Sequence, residues 1–386
     1  MGTLTIMTRR DYSWLPEHQY HVAFTLAHAD DLVARVGEIL FDYLRPPGPL
    51  QLGNVADGDV AHVTVVAVAP LPAAVARFAA DALTQLRAAI EHTIYAEVEH
   101  ALGLRLKYDE ARRVEMPVST SEDAFSKWLT SRRRSNLSPL RDGTQLVRRL
   151  SDLQPYQCQD VDLHPLRVLA EHTNLAKHRT PAVAATLLGA VIPDRHTPGL
   201  LIATGNVQPV QPGDVLASGP LYERVPLSIW PKVSIQRPHT ETWHVVMNEL
   251  GELADWVRTV AIPHLVAGTR DVDPLPPQVD TTIGYADPRA ALSSSGGVPA
   301  AERATRRIQA SVVRQGLAET LALHPDRIGS EVIQTWLGTL DDDQVLERQD
   351  RLSGPAKSRD HRRVNAVVRD LIAEALQAKG RNEPSP

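Results

Sequence analysis

The spacing of apolar residues changes along this chain, and each change marks an element. Between His21 and Tyr43, Val22, Leu26, Leu32, Val33, Val36, Ile39, Leu40 and Tyr43 are apolar, and after Ala29-Asp30-Asp31 as a cap the stretch reads as a helix of period near 3.6. Pro46-Pro47-Gly48-Pro49 ends that pattern. Val60 to Val68 is short and valine-rich, which predicts a strand. Pro70-Leu71-Pro72 then opens a long helix from Ala73 to Leu102, closed at Gly103. Ser119-Thr120-Ser121-Glu122 reads as a capping box for a short helix through Leu129. Thr144 to Leu150 predicts another helix, and Pro165 introduces one that runs to His178 before Pro181.

Beyond Pro181 the helical period disappears. Val183 to Ile192, Leu200 to Thr204, Asp214 to Ser218 and Leu227 to Gln236 are short apolar runs between Gly and Pro, as in an antiparallel sheet. Trp243, Val246, Met247, Leu250, Leu253, Val257 and Val260 restore a helical stripe over 240–265. Residues 268–299 are rich in Pro, Asp, Ser and Gly and read as a linker. Helices are predicted over 303–323, 330–340, 343–352 and 361–378. The fold class is α+β: a helical bundle with a small antiparallel sheet over 1–267, a C-terminal all-α domain over 300–379 and a disordered tail over 380–386.

Composition narrows the chemistry. At 386 residues, 43% hydrophobic and 23% charged, the chain can bury a sizeable core. A net charge of −5 argues against a protein that coats nucleic acid over its whole surface, while leaving room for a local basic groove. Aromatic residues at 5% argue against a base-stacking platform. Cys158 stands alone, so a disulfide framework or multi-cysteine zinc site cannot form within one chain, and a buried thiol is expected. Met1 to Trp14 lacks the apolar core of a signal peptide, and no apolar run has the length of a membrane span. These features predict a cytoplasmic protein without a membrane partner.

Candidate chemistry sits on two helices. Arg87, Glu91 and Tyr95 step by four along the edge of the stripe Leu83, Leu86, Ile90, Ile94 and Val98, while His92 points away from its centre. On the second helix Glu171, Asn174 and His178 share a face beside Leu166, Leu169, Ala170 and Thr173, flanked by Lys177 and Arg179. Charged groups beside an apolar stripe need each other or a ligand. The plainer reading is a network that fixes how the two helices pair. His28, Asp30 and Asp31 form a possible metal cluster that reads more simply as a cap. His239 and His244 are five apart, a spacing unsuited to ligation from one helix. Ser131-Arg132-Arg133-Arg134-Ser135-Asn136 and Arg359 to Arg363 are short basic runs that could touch phosphate or simply be solvated. No metal or cofactor is implied.

Phe78 to His92, with Asp81-Ala82-Leu83, Leu86-Arg87 and His92, resembles the helix G-D-A-L-x-x-L-R-x-A-L-D-H of a family of uncharacterised bacterial and phage proteins. Gln154-Pro155-Tyr156 and Asn174-Leu175-Ala176-Lys177-His178-Arg179 follow in the order of that family's Q-P-Y and N-x-D-K-H-R motifs. The chain departs from it at Ala79 or Ala80 for glycine, Glu91 for aspartate and Ala176 for the second acidic residue. Arg87 and His92, with four residues between them, also resemble the arginine–histidine motif of HEPN-type ribonucleases, which are helical bundles that dimerise around a composite, metal-independent site. The chain departs there at Ala88, where a polar residue often follows the arginine.

The HEPN resemblance implies an RNA endonuclease acting as a toxin or phage-defence effector, working as a homodimer. His92 and His178 would transfer protons beside Arg87, and Lys177, Arg179, Asn174, Glu91 and Glu171 would line the substrate. The contrasting expectation is a non-catalytic scaffold that binds protein or nucleic acid. Its arginines and histidines would hold helices together, and the C-terminal helices would meet a protein partner.

Overall fold

The computed structural model describes residues 10–130, 137–178, 182–193, 195, 197–204, 207–222, 227–324 and 328–382. The chain forms two compact units, 1–301 and 302–386. The fold is α+β, with two antiparallel sheets set among helices in the first unit and helices alone in the second.

In the first unit α1 (Tyr20–Leu44) leads into the hairpin β1 (Leu50–Asp57) and β2 (Val60–Val68), and α2 (Ala73–Leu102) follows. Three short helices come next: α3 (Tyr108–Ala111), α4 (Glu122–Leu129) and α5 (Gln145–Asp152). After α6 (Pro165–His178) come β3 (Ala184–Pro193), β4 (Leu201–Ile202), β5 (Val215–Pro220), β6 (Leu227–Gln236) and β7 (Trp243–Val245). The helices α7 (Val246–Trp256), α8 (Ile262–Ala267) and α9 (Pro288–Ser294) complete the unit.

Helix α2 is the spine. No Gly or Pro interrupts it, and it ends where Gly103 takes the left-handed conformation at φ 63°. Its buried stripe of Val75, Ala79, Leu83, Leu86, Ile90, Ile94 and Val98 packs against α1, α6, α7 and α8. Asp30 lies inside α1 rather than at its cap. It is buried, and its carboxylate accepts the N–H of Ala300 at 2.7 Å.

The sheets run in the orders β1-β2-β5-β4 and β3-β6-β7. Val65, Leu188, Val210 and Leu216 join them in one small apolar cluster. Two elements depart from the apolar pattern. The helix expected from residue 240 begins only at Val246, because Trp243–Val245 pairs with Ser234–Gln236 as a third strand. Pro263, which has no N–H to donate, is preceded by a π-helical turn over Val257–Ala261 that separates α7 from α8.

The stretch that reads as a linker belongs to the first unit. Leu275, Val279, Ala291 and Leu292 are buried there, and Asp287 caps α9. Cys158, expected to be buried, is exposed, because it ends a one-turn 3-10 helix on the surface.

The second unit takes most of α10 (Ala300–Ala322), with α11 (Ser330–Thr339), α12 (Asp342–Lys357) and α13 (His361–Asn382). Ala310, Leu317, Leu321, Ile333, Trp336, Leu337, Val345 and Leu371 form its core. The Arg348 guanidinium lies 5.7 Å from the Trp336 ring centroid and binds Glu374. Helix α13 continues to Asn382, through the first residues of the stretch read as a tail.

Candidate functional site

Two polar regions form on opposite terms along α2. Five residues at about 100° each put Arg87 and His92 about 140° apart around the helix axis. Their side chains accordingly enter different surroundings.

Arg87 enters a closed clamp. It bonds Glu91 at 2.5 Å, and the same nitrogen donates to the Met116 carbonyl at 2.6 Å. Glu91 in turn accepts the Met116 N–H at 2.7 Å. The clamp continues through Gln154, which is fully buried and accepts the Ser119 N–H at 2.9 Å while donating to the Leu150 carbonyl. Tyr156 adds a backbone bond to Ser119 and a hydroxyl contact with Ser151 at 2.8 Å. Arg87, Glu91, Gln154 and Tyr156 thus hold one segment, Met116–Ser119, across α2 and α5.

His92 enters an open cleft of about 720 Å3 lined by His18, His21, His92, Tyr95, Glu99, His100 and Arg105 among others. The start of α1 and the last turns of α2 form its walls. Gln19 stitches them from beneath, donating to the Thr93 carbonyl at 3.0 Å and to Glu97 at 2.8 Å. His18 contacts the same Glu97 oxygen at 2.9 Å and stacks on His100, with ring centroids 4.0 Å apart and planes within 10°. Glu99 accepts the Tyr95 hydroxyl at 2.9 Å and the Leu106 N–H at 2.8 Å. The His21 and His92 rings lie side by side with centroids 6.1 Å apart and planes tilted by 51°. Packing around His21 lowers its pKa below the ordinary 6.5, and the neighbouring His92 lowers it further. At neutral pH His21 is therefore a free base beside a second imidazole.

The other expected residues lie elsewhere. Helix α6 packs on α2, with Asn174 and Lys177 exposed. Lys177 borders a shallow pocket of about 270 Å3 with Arg77, Asp81 and Thr84. Glu171 is half-buried on α6, outside the histidine cleft. The side chain of His178, all of Arg179 and the Ser131–Asn136 loop lie outside the described residues. Arg359 to Arg363 are exposed, running from the turn after α12 into the first turn of α13.

One buried polar cluster escaped the sequence reading. Arg237 grips Glu249 with two bonds of 2.8 and 2.7 Å, and His172 touches the same carboxylate at 3.3 Å. All three are buried. Burial alone would raise the Glu249 pKa, but the bonds from His172 and Arg237 and the charge of Arg237 hold it at about 2. The signal was present: Glu249 sits three residues after Val246 and one before Leu250, inside the apolar stripe of α7.

Among the described residues, no group of three or more His, Cys, Asp or Glu side chains could hold a metal ion, and no helix is long and apolar enough to cross a membrane. Compared with models of known families, with curated proteins and with solved structures, the chain matches none of them.

Proposed function

We propose that the protein is a metal-independent RNA endonuclease of the cytoplasm, working in the cleft between α1 and α2. The observation that carries this reading is the neighbouring pair His21 and His92, at 6.1 Å in an open cleft with Arg105 on its wall. Two imidazoles suffice for cleavage by transesterification. His21, the free base, takes the proton of a ribose 2′-hydroxyl. The 2′-oxygen then bonds to phosphorus as the bond to the 5′-oxygen breaks. His92, protonated, gives its proton to that leaving oxygen. The products are a 2′,3′-cyclic phosphate and a 5′-hydroxyl. Arg105 is the cation placed to meet the charge developing on the phosphate. Arg87 takes a positioning role in this scheme, holding Met116–Ser119 against α2.

The test is RNA cleavage by the purified chain in EDTA, with the ends analysed. Cyclic-phosphate ends that vanish in His92→Ala and His21→Ala support the reading; no chelator-resistant cleavage sinks it. A toxin or phage-defence role adds that growth arrest on expression should disappear with His92→Ala. The clamp favours a second reading, a non-catalytic scaffold whose arginines only organise helices. In that case wild-type protein binds RNA or a protein partner and leaves RNA intact.

A further inference from the structure

The histidine cleft continues as a furrow between α1 and α2. His21, His28 and Arg35 follow one another at seven-residue intervals on α1, and His92, Gln85 and Phe78 do so in reverse on α2. Seven residues make two turns less about 20°, so each set keeps to one line along its helix. The helices run antiparallel and the lines meet at both ends. The His21 ring lies beside His92, with centroids 6.1 Å apart, and the Arg35 guanidinium carbon lies 5.7 Å from the Phe78 ring centroid. With both ends matched, His28 falls opposite Gln85. The first pair and the last are about 21 Å apart along the axis. His21, His28, Arg35 and His92 are exposed, and Gln85 and Phe78 are half-buried.

Positive charge stands at both ends of this furrow. Arg105 is on the cleft wall at one end. At the other, Arg35 is joined by the exposed Arg77 and Lys177, which border the 270 Å3 pocket and offset Asp81 there. Between the ends, His28, Gln85 and Ala88 bring no carboxylate. Asp31 and Glu38 are exposed on α1, but each comes three residues after His28 or Arg35 and is turned about 60° away from that line. The ligand that suits this pattern is long, narrow and anionic at intervals. Helix axes packed about 8–10 Å apart leave a furrow for one strand and none for a duplex. Arg35, spread over Phe78, is a planar cation that can meet a phosphate or the face of a base.

We propose that the α1–α2 furrow is a binding track for single-stranded RNA, with the histidine pair at one end and Arg35 and Arg77 gripping phosphates several nucleotides away. This rests on the reading of the cleft as an RNA endonuclease, and it assigns that site its substrate class. The substrate is an unpaired strand that spans about 21 Å, which is about six nucleotides at a stacked spacing of about 3.4 Å and fewer when extended. A dinucleotide is too short to reach both ends.

Fluorescence anisotropy with the full chain tests it. The probe is a fluorescein-labelled RNA of about ten nucleotides with every 2′-hydroxyl methylated, so that it binds without being cut. The single strand should bind at least about tenfold more tightly than the same probe annealed to its complement. Arg35→Gln should weaken single-strand binding about tenfold and reduce its salt slope by about one. Gln85→Lys, which adds a cation midway along the track, should strengthen binding by a similar factor. Should Arg35→Gln misfold, Arg77→Gln, at an exposed position on the other helix, takes its place. Failure to bind the probe, equal binding of strand and duplex, or an affinity that neither arginine variant lowers overturns the proposal. The two readings fail separately. A chain that binds the probe as described yet cuts no RNA keeps the track and loses the endonuclease. One that cuts RNA with binding indifferent to Arg35 and Arg77 loses the track alone.

Discussion

The Arg237–Glu249–His172 cluster and the His21–His92 cleft use the same kinds of side chain to opposite ends. In the first, a guanidinium takes both oxygens of one carboxylate and all three residues are out of water. In the second, imidazoles border 720 Å3 of open space with exposed rings at its mouth. The closed network turns its carboxylate and guanidinium on each other and leaves the His172 Nδ1 atom buried without a hydrogen-bond partner, out of reach of a ligand in solvent. An open one keeps donors and acceptors available. The Arg87–Glu91–Met116 clamp lies between these extremes: the Arg87 Nη2 atom is bonded within the protein, while its buried Nη1 atom has no hydrogen-bond partner and Glu91 retains 29% side-chain exposure. Experiments that remove one group from each region should separate architecture from chemistry.

The largest effect should come from the buried cluster. Glu249→Ala leaves the Arg237 guanidinium buried and uncompensated, which should cost about 3–5 kcal/mol in urea unfolding. Replacing both partners, as in Arg237→Met with Glu249→Leu, should restore much of that loss. Acid gives an independent check. Glu249 is held at about 2, below its ordinary 4.5, so its contribution is full above pH 4.5 and is lost as pH falls through 2. His164 is held at about 4 by burial and the charge of Arg270. Its unfolded form takes a proton first, so stability should already decline between pH 6.5 and 4. A stability curve flat from pH 7 to 3 would mean that neither group is held as described.

Arg87→Ala should have a middling effect. It removes the bonds to Glu91 and to the Met116 carbonyl, both in a half-buried setting, at a cost of about 1–3 kcal/mol. If Arg87 only positions the segment, the folded fraction of Arg87→Ala should cleave RNA at close to the wild-type rate per molecule. Full loss of cleavage in a folded variant would return Arg87 to the reacting phosphate, as the HEPN resemblance implies.

How far the sequence could anticipate this comparison follows from the range of the interactions. Helices α1, α2 and α6 were legible because their stripes are long and periodic, and Gly103 marks a stop that its backbone confirms. Strand β1 was missed although Asp57-Gly58 stood before a valine run, because Gly53 and Asn54 break the alternation. Strand β7 was read as helix, since three residues of pairing with β6 leave no local trace. The Arg87–Glu91 pair was legible at i,i+4, but its third member, Met116, is 25 residues from Glu91. The cleft was hardest to read. His92 was singled out, but His18 and His21 lie more than 70 residues away, and nothing on one helix says which histidines another will present.

The smallest effect on stability should come from the cleft itself. His21 and His92 have exposed rings, so His92→Gln should shift unfolding by no more than about 0.5 kcal/mol. The same substitution should nevertheless be visible at its neighbour. His21 titrates below 6.5 first because of the packing around it and second because of the charge of His92, with the charge of His18 a smaller contribution in the same direction. His92→Gln removes the second and leaves the first, so the His21 ring proton followed by NMR should titrate at a higher pH, still short of 6.5. On its acid limb, cleavage should rise with pH through the His21 titration, which lies below the ordinary 6.5, because the base must be free. An unmoved His21 titration in His92→Gln would show that the two rings do not share one electrostatic environment. The paired-imidazole mechanism would then fail even if the protein cleaved RNA, whereas a shifted titration without cleavage would leave a coupled cleft with a binding role.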